Sequence, residues 1–271
     1  MSDGARTLIV IPARYGSSRF PGKPLAEIGG RAMVLRVADA ARAAAEALGD
    51  AALIVATDDQ RILDHCAGHG VPALMTPEGL ATGSDRVLAA VEALGAAPEV
   101  VVNLQGDAPF TPPGHLTAIV EALRGGDWDA ATPVVRLDWP ALDAFRQHKK
   151  TTPFSGTTCV AAADGRALWF SKQILPAIRD EARLRAAGPL SPVRRHVGLY
   201  AYRLEALNRF AALPPSPTEQ LEGLEQLRLL ENGMSICAVE VDAPGISIPG
   251  VDTPEDLALA ERLLAEKERG G

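Results

Sequence analysis

The sequence has few cysteines and no long apolar run. Its three cysteines, Cys66, Cys159 and Cys237, are scattered without C-x-x-C spacing. This pattern disfavours a disulfide framework and a zinc site, and it indicates reduced thiols, as in the cytoplasm. No stretch approaches the length of a membrane span, and the first apolar run is short and leads into a charged loop, unlike a signal peptide. We therefore expect a cytoplasmic protein without a membrane partner.

The sequence also has fewer basic than acidic residues. Lys and Arg total 27 against 34 for Asp and Glu, which gives a net charge of −7. Nonspecific binding to nucleic acids needs a basic surface, so we expect no nucleic-acid partner. A hydrophobic content of 47% and a charged content of 23% are ordinary for a globular protein. A phosphate ligand would meet a local basic loop in an acidic protein, together with a divalent metal.

The segment Ile11–Leu25 is such a loop, and it follows the apolar run Leu8–Ile11. The run predicts a buried strand, and the prolines after it prevent a helix. Open α/β sheets bind ligands in loops at the carboxyl ends of their strands. Cations offset phosphate charge and glycines let the backbone come close; the segment contains Arg14, Arg19, Lys23, Gly16 and Gly22. We predict a phosphate-binding loop; the alternative is a solvated basic loop.

The spacing within this loop excludes the common phosphate motifs. A P-loop requires G-x-x-x-x-G-K-[ST], but five residues separate Gly16 from Gly22, and Pro24 follows Lys23. Pro24 has no hydroxyl for a metal ion and no N–H for a phosphate. The G-x-G-x-x-G fingerprint of dinucleotide-binding proteins is also missing. Kinase, ATPase and dehydrogenase functions are therefore disfavoured.

Strand and helix patterns alternate along most of the chain. Strands are predicted at Leu8–Ile11, Ala52–Ala56, Val71–Met75, Val100–Leu104, Ala130–Val135 and Ser235–Val241. Helices are predicted at Met33–Leu48, Thr82–Leu94, Pro112–Leu123, Thr218–Glu231 and Pro254–Lys267. A further helix is predicted to follow Thr57-Asp58-Asp59 and to run through Cys66. This alternation predicts an α/β protein with a mostly parallel sheet and helices on both faces.

The pattern changes over residues 136–205. Two strand-like runs, Thr157–Ala162 and Ala167–Phe170, flank the turn signal Asp164-Gly165, which predicts a hairpin. His196–Tyr202 is a further strand-like run. We expect a partly antiparallel insertion that covers the edge of the sheet. Two independent domains are the alternative, but no Ser/Gly-rich or charged linker separates them, so we predict a single domain over residues 1–271.

Two aspartates lie at positions from which they could bind a metal ion. Asp107 follows a predicted buried strand, and Asp252 precedes the last predicted helix. Mg²⁺ prefers oxygen ligands, usually one or two carboxylates with phosphates and water. Helix capping does not require Asp252, because the residues Thr253–Asp256 already supply a cap, a proline and an acid. Both aspartates are metal-ligand candidates; the alternative is turn-forming hydrogen bonds.

At five places the chain resembles the CMP-Kdo synthetase (3-deoxy-manno-octulosonate cytidylyltransferase) family. The first is the loop, which matches the family's PAR-x-x-S-x-R-x-P-x-KPL opening. The others are Gln105-Gly106-Asp107, Val251–Asp256, Arg195–Tyr200 and Leu224–Arg228. The resemblance extends from Ile9 to about Leu263 and is weakest over residues 136–170. It implies a Rossmann-like nucleotide-diphospho-sugar transferase fold.

The resemblance also implies roles for individual residues. Asp107 and Asp252 would hold Mg²⁺. Contacts to the nucleotide would come from Ala13, Arg14, Lys23, Ser84, Arg86 and Gln105, with Arg14, Lys23 and Asp107 taking part in catalysis. The acceptor sugar would be bound by Lys172, His196, Tyr200, Glu225 and Gln226. Without the motifs, His196 fits a structural histidine, Arg86 a surface residue of a first helical turn, and Glu225 and Gln226 the polar face of a helix.

The activity implied is Mg²⁺-dependent transfer of CMP from CTP to the anomeric hydroxyl of an acidic 3-deoxy sugar, 3-deoxy-manno-octulosonate (Kdo) or a close analogue, with release of pyrophosphate. Such a product serves lipopolysaccharide or surface-glycan synthesis. The hydroxyl of the sugar attacks, so no protein nucleophile is needed. The resemblance further implies a homodimer, with the insertion as interface and acceptor region. Alternatives are transfer to a sialic-acid-like sugar or a sugar 1-phosphate, a glycosyltransferase, and a noncatalytic nucleotide sensor.

The chain departs from the family's motifs at three places. Ala108 stands where the family often has Glu, and Lys172 where it has Arg. Lysine keeps the charge of arginine but loses the two-pronged grip on a carboxylate. Residues 150–157 replace the family's Asp-Pro-Asn-x-Val-Lys segment. These departures lie mainly on the acceptor side of the predicted site.

Overall fold

The computed structural model describes residues 5–16, 19–243 and 250–270. Its strands are β1 Thr7–Ala13, β2 Glu27–Ile28, β3 Arg31–Ala32, β4 Ala51–Thr57, β5 Ala73–Met75, β6 Val100–Leu104, β7 Ala130–Asp138, β8 Thr158–Ala161, β9 Ala167–Ser171, β10 Leu190–His196, β11 Leu199–Arg203 and β12 Ile236–Glu240. Its α-helices are α1 Met33–Leu48, α2 Gln60–Gly68, α3 Gly83–Ala93, α4 Pro113–Gly125, α5 Trp139–Lys149, α6 Glu181–Ala187, α7 Leu204–Ala212, α8 Pro217–Glu222, α9 Gln226–Glu231 and α10 Pro254–Gly270. A short 3-10 helix covers Lys23–Leu25.

Ten strands of the described ranges form one mixed sheet. Strands β5, β4, β1 and β6 are parallel neighbours in that order. Next to β6, β11 runs antiparallel and joins this half of the sheet to β7. The α/β class and the parallel core predicted from the alternation of strands and helices are thus confirmed, and the carboxyl ends of β1 and β6 meet at one edge of the sheet.

The long strand β7 organises the other half of the sheet. β12 runs parallel along one edge of β7, while β11 and β10 follow each other antiparallel along its other edge. β10 then pairs with β8, and β8 with β9, which gives the predicted hairpin around Asp164-Gly165. The predicted run His196–Tyr202 is therefore divided between two strands.

Side-chain alternation along β1 builds a core on each face of the sheet. Ile9 and Ile11 point to the face covered by α1, α2 and α4. Leu8 and Val10 point to the face covered by α3, α7 and α9. All four side chains are buried. Successive residues of a strand face opposite sides, so a continuous apolar run is the pattern expected of a strand buried on both faces.

Two sequence predictions are wrong in detail. The single helix predicted at Thr218–Glu231 is divided into α8 and α9, because Gly223 adopts φ +64° and ends α8. Part of the predicted insertion does not cover the sheet edge, since β11 lies between β6 and β7. The helices α5, α6 and α7 were not predicted. Residues 17–18, within the predicted phosphate loop, lie outside the described residues.

No helix in the described part of the chain is long and apolar enough to cross a membrane.

Candidate functional site

A cleft of about 470 Å³ opens at the carboxyl ends of β1 and β6. Its walls come from the loop after β1, the start of α3, the loop after β6 and single residues before α9 and α10. The lining residues are Pro12, Ala13, Arg14, Arg19, Lys23, Pro24, Leu80, Ala81, Thr82, Gly83, Arg86, Gln105, Gly106, Asp107, Glu225 and Asp252. Eight predicted site residues are among them: Ala13, Arg14, Lys23, Arg86, Gln105, Asp107, Glu225 and Asp252.

The floor of the cleft depends on the contact between Gly106 and β1. A Cβ atom on Gly106 would lie 2.6 Å from the carbonyl oxygen of Pro12, which is too close for any side chain. Only glycine lets the loop after β6 press against the end of β1. This contact places Gln105 and Asp107 at the floor, and the Gln105 side chain donates a hydrogen bond to Asn103 at 2.9 Å.

Replacing Gly106 by alanine should therefore displace the loop that carries Asp107. We expect Gly106→Ala to lower kcat at least tenfold, since displacements of about 1 Å at a catalytic group can cost roughly a hundredfold. Steady-state kinetics would measure this. Gly114→Ala is a matched control, because no atom lies within 4 Å of the added Cβ. Wild-type kcat in a folded Gly106→Ala variant would show that the loop position is unimportant.

Asp107 and Asp252, which are distant in sequence, meet in the cleft. The backbone N–H of Val251 donates to the carbonyl of Asp107 at 2.9 Å, which ties the two loops together. Lys23 donates from Nζ to Asp107 Oδ2 at 2.8 Å and to Asp252 Oδ1 at 3.0 Å. Arg19 forms an ion pair with the other oxygen of Asp252 at 3.2 Å. The sequence-predicted carboxylate pair is thus one cluster with two cations.

Asp252 is not used as the cap of the last helix. Asp256 accepts hydrogen bonds from the backbone N–H groups of Asp252 and Thr253, and Thr253 Oγ1 accepts one from the N–H of Asp256. The carboxylate of Asp252 is therefore directed into the cleft instead. Burial by itself would raise the pKa of Asp252, but the hydrogen bond and charge of Lys23, followed by Arg19, hold it below its ordinary value. The group is an anion at neutral pH.

The donor set fits a magnesium ion that shares its shell with phosphates. The described residues contain no cluster of three or more His, Cys, Asp or Glu side chains that could hold a metal by themselves. Mg²⁺ usually takes only one or two carboxylates and completes its octahedron with phosphate oxygens and water. Asp107 and Asp252 supply two anionic oxygen ligands around one cationic group, Lys23. A cation is therefore already favoured at this position.

The third cation of the loop, Arg14, is exposed. Within the described ranges its guanidinium makes no hydrogen bond or ion pair with another side chain, whereas the guanidinium of Arg19 and the ammonium of Lys23 do. Arg14 lines the cleft beside them. An arginine can grip phosphate oxygens through two parallel N–H donors, so this side chain is free to meet an anionic ligand.

The start of α3 forms the opposite wall of the cleft. Thr82 and Asp85 make a capping box, in which each side chain accepts from the backbone N–H of the other. Arg86 follows one residue later and is 3% exposed. Its guanidinium donates to Asp58 at 2.6 Å and to Thr76 at 2.6 Å. Arg86 therefore borders the cleft, but its charge is paired inside the protein.

Ser84 connects the nucleotide-side residues to the acceptor-side residues. Its hydroxyl donates to Glu225 Oε2 at 2.9 Å and accepts from the Asn103 amide at 3.3 Å. Burial raises the pKa of Glu225, although the hydrogen bonds from Ser84 and Thr82 oppose the shift. The two groups of predicted residues, separated by more than a hundred positions, thus share one hydrogen bond.

Two further acceptor-side residues, Tyr200 and Lys172, lie near His196. The rings of His196 and Tyr200 are 5.4 Å apart, and Tyr200 stacks on Tyr202 at 5.8 Å. Burial, followed by the charge of Lys172, lowers the pKa of His196 to about 3. Burial also lowers the pKa of Lys172, although Glu222 opposes this. These half-buried residues therefore form a polar group next to two carboxylates, Glu222 and Glu225.

The protonation state of His196 follows from its neighbour. The hydroxyl of Thr132 lies within donating distance of two carbonyl oxygens, those of Leu199 at 2.8 Å and Val197 at 3.2 Å. Its oxygen lies 2.9 Å from Nε2 of His196; we assign Nε2 as the donor of that bond, which lets the hydroxyl proton point to a carbonyl. A neutral ring with hydrogen on Nε2 leaves Nδ1 as an acceptor. His196 can thus accept a hydrogen bond from a hydroxyl group of a ligand.

The buried side-chain amide of Gln226 lacks a hydrogen-bond acceptor within the described residues. The residue is 4% exposed, and within the described part of the chain nothing accepts a hydrogen bond from its Nε2. A buried amide without a partner costs about 1–3 kcal/mol. Such a group is expected where a ligand supplies the missing acceptor.

Sequence reasoning did not identify several partners of the site residues. They are Asp58 beside Arg86, Thr132 beside His196, and Glu222 beside Lys172. Arg19 was recognised as part of the basic loop, but not as the partner of Asp252. Ordinary polar residues such as Thr132 carry no motif, so their roles depend on contacts that only the fold creates.

Known proteins resemble the chain over nearly its full length. Residues 8–236 match the model of the cytidylyltransferase family. The 3-deoxy-manno-octulosonate cytidylyltransferase of Maricaulis maris (strain MCS10) is 43% identical over 261 residues, which cover 95% of this chain and 96% of the relative. The enzyme of the same name from Nitratidesulfovibrio vulgaris (strain DP4) is 45% identical over 261 residues, with 96% of each chain covered.

Solved structures agree with the sequence comparison. CMP:2-keto-3-deoxy-manno-octonic acid synthetase in complex with CTP has a TM-score of 0.81 and 34% identity, covering 97% of this chain and 99% of that one. At 15% identity and a TM-score of 0.56, 4-diphosphocytidyl-2C-methyl-D-erythritol synthase from Anaerococcus prevotii shares the fold alone. The chain therefore belongs to the 3-deoxy-manno-octulosonate cytidylyltransferase family.

Proposed function

We propose that this chain transfers CMP from CTP to the anomeric hydroxyl of Kdo and releases pyrophosphate. The observation that carries the proposal is the meeting of Lys23, Asp107 and Asp252 at one point of a cleft lined by further cations. The relatives that match this chain over nearly its full length are 3-deoxy-manno-octulosonate cytidylyltransferases. A polyphosphate and a metal fit the cleft, and an acidic sugar fits the half-buried polar group on the acceptor side.

In the reaction, the hydroxyl oxygen of the sugar forms a bond to the α-phosphorus of CTP. The bond between that phosphorus and the oxygen leading to the β-phosphate breaks, and the hydroxyl proton passes to water. A Mg²⁺ ion held by Asp107 and Asp252 would offset phosphate charge and lower the pKa of the attacking hydroxyl. Arg14, Arg19 and Lys23 would stabilise the leaving pyrophosphate.

On the acceptor side, we assign the sugar carboxylate to Lys172. His196 Nδ1 would accept from a sugar hydroxyl, and Gln226 Nε2 would donate to a sugar oxygen, which would satisfy its unpaired donor. Tyr200 and Glu225 would complete the hydrogen bonding, since Glu225 lines the cleft. Ala13, Ser84 and Gln105 would border the nucleotide, while Arg86 would support this wall through Asp58.

A matrix of nucleotides and sugars tests the function. Pyrophosphate release should be fastest with CTP and Kdo, and it should require Mg²⁺. Turnover only with a sugar 1-phosphate, or preference for a sialic-acid-like sugar, would contradict the choice of acceptor. Binding of CTP without turnover on any sugar would instead identify a nucleotide sensor. The absence of an Asp-x-Asp motif at Gln105–Asp107 disfavours a glycosyltransferase.

The protein would work as a homodimer, with residues 136–205 at the interface. Three of the five large hydrophobic side chains that are exposed in the described ranges lie in this segment: Phe154, Leu168 and Leu190. Covering these side chains with a second copy of the chain would remove apolar surface from water. Sedimentation should give twice the mass of one chain, and Leu190→Glu should shift the protein toward the monomer. A wild-type monomer at micromolar concentration would contradict this.

A further inference from the structure

A half-buried lysine at the end of α5, Lys149, organises the segment that differs from the family. Lys149 Nζ donates to the carbonyl oxygens of Pro153 at 3.2 Å, Ser155 at 2.8 Å and Gly156 at 3.1 Å. It also contacts the carbonyl of Lys172 at 2.5 Å. An ammonium has three N–H donors, so these four carbonyls use all of its hydrogen-bonding capacity. Lys149 is therefore not itself available to a ligand.

The loop around this ammonium has a well-defined turn conformation. Gly156 adopts φ +71°, a conformation that side chains rarely take, and a Cβ there would lie 2.7 Å from the ring of Phe145. The Lys149 ammonium also lies 4.8 Å from that ring. These contacts fold residues 150–157 back over the lysine. In this chain, the segment that replaces the family's Asp-Pro-Asn-x-Val-Lys motif thus depends on Lys149.

The same ammonium fixes the backbone of Lys172. Lys149 holds the carbonyl of Lys172, and the carboxylate of Glu222 accepts from its backbone N–H at 2.8 Å. Glu222 also accepts from the hydroxyl of Ser171 at 2.7 Å. Both backbone polar groups of Lys172, its N–H and its C=O, are therefore held by half-buried charged side chains, which restricts where the Lys172 side chain begins.

We propose that Lys149 is a positioning residue that sets Lys172 for the carboxylate of the acceptor sugar. The proposal rests on the proposed function, because Lys172 is the acceptor-side cation in it. A lysine in place of the family's arginine has one charged group and no planar fork, so its grip on a carboxylate depends on where its backbone is held. Lys149 and Glu222 supply that restraint from the two peptide units that flank the Cα atom of Lys172.

The test compares Lys149→Met with Lys150→Met in full-length enzyme. Lys150 is the exposed neighbour, so it controls for loss of a positive charge. We expect the KM for Kdo to rise roughly tenfold to a hundredfold in Lys149→Met, because a small misplacement of a binding group has effects of that size. The KM for CTP should change less than twofold, and Lys150→Met should resemble the wild type. Glu222→Gln, which weakens the other restraint, should raise the KM for Kdo in the same way.

The outcomes separate this proposal from the function itself. A wild-type enzyme that does not use Kdo would overturn the proposed function, and the role of Lys149 with it. A wild-type enzyme that uses Kdo, with a folded Lys149→Met variant whose KM for Kdo is unchanged, would overturn the role of Lys149 alone. An equal rise in the KM for Kdo and CTP would indicate a general structural effect and would also contradict the proposal. If Lys149→Met does not fold, an unchanged KM for Kdo in Glu222→Gln overturns it.

Discussion

Asp107→Asn should lower kcat for CMP transfer by roughly 10²–10³-fold, the usual cost of losing one electrostatic stabiliser of a transition state. Asparagine keeps the shape of the side chain but removes the anionic oxygen that contacts Lys23 at 2.8 Å. The loop itself should stay in place, because it is held by Gly106 against β1 and by the N–H of Val251 on the Asp107 carbonyl. The loss would therefore lie in turnover, with little change in stability.

The matched control for this variant is Asp127→Asn, which changes an exposed aspartate distant from the lining of the cleft. Its kcat and unfolding midpoint should equal those of the wild type. Asp252→Asn should resemble Asp107→Asn, since both carboxylates contact the same ammonium. A kcat within threefold of the wild type in Asp107→Asn would refute the assignment of Asp107 as a metal ligand.

Arg86→Met should have the largest effect on stability, a loss of about 3 kcal/mol in the free energy of unfolding. The guanidinium is almost fully buried and pairs with Asp58 at 2.6 Å. Methionine would leave the largely buried carboxylate of Asp58 without its counter-ion, and Thr76 would lose its donor. Breaking a buried pair costs far more than the pair contributes when intact, because one charge remains desolvated.

Urea denaturation measures this loss, and Arg183→Met provides the comparison. Arg183 pairs with Asp180 at 2.9 Å on the surface, where ion pairs contribute about 0–1 kcal/mol. A similarly small loss in Arg86→Met, together with a large increase in the KM for CTP, would contradict the structural role. It would show instead that Arg86 leaves Asp58 to bind the nucleotide.

The parts of the fold that sequence predicts best are those that local patterns determine. The strand Val100–Leu104 and the helix Met33–Leu48 were predicted with the observed bounds, because a short apolar run and an Ala-rich segment ending at glycine are strong local signals. The break at Gly223 was missed. There, Arg228 and Glu219 form a buried pair across the bend, and this contact exists only once α8 and α9 have formed.

The antiparallel half of the sheet was harder to predict from the sequence, for a different reason. β11 pairs with both β6 and β7, and such non-local pairing has no signature in the strand itself. The order of strands in a sheet depends on loop lengths and on packing between distant segments. An insertion at the edge was therefore the simplest expectation, but the chain returns into the middle of the sheet.

The site residues divide in the same way, into those that sequence motifs identify and those that only the fold reveals. Motifs identified Lys23, Asp107 and Asp252, and the fold brings them together although they are up to 229 positions apart. Motifs did not identify Lys149 or Glu222, because each acts on backbone groups and not on a recognisable pattern of side chains. Residues that bind a ligand leave a trace in sequence, whereas those that hold the backbone beneath them often do not.

The most direct test of the account is the affinity of Mn²⁺, as a spectroscopic substitute for Mg²⁺, for the complex of the enzyme with CTP. Electron paramagnetic resonance would measure free Mn²⁺ with enzyme in excess over CTP, so that all nucleotide is bound. We predict that Asp107→Asn and Asp252→Asn each weaken Mn²⁺ binding roughly tenfold or more, while Asp127→Asn does not. Wild-type Mn²⁺ affinity in both site variants would contradict a metal held between these two carboxylates.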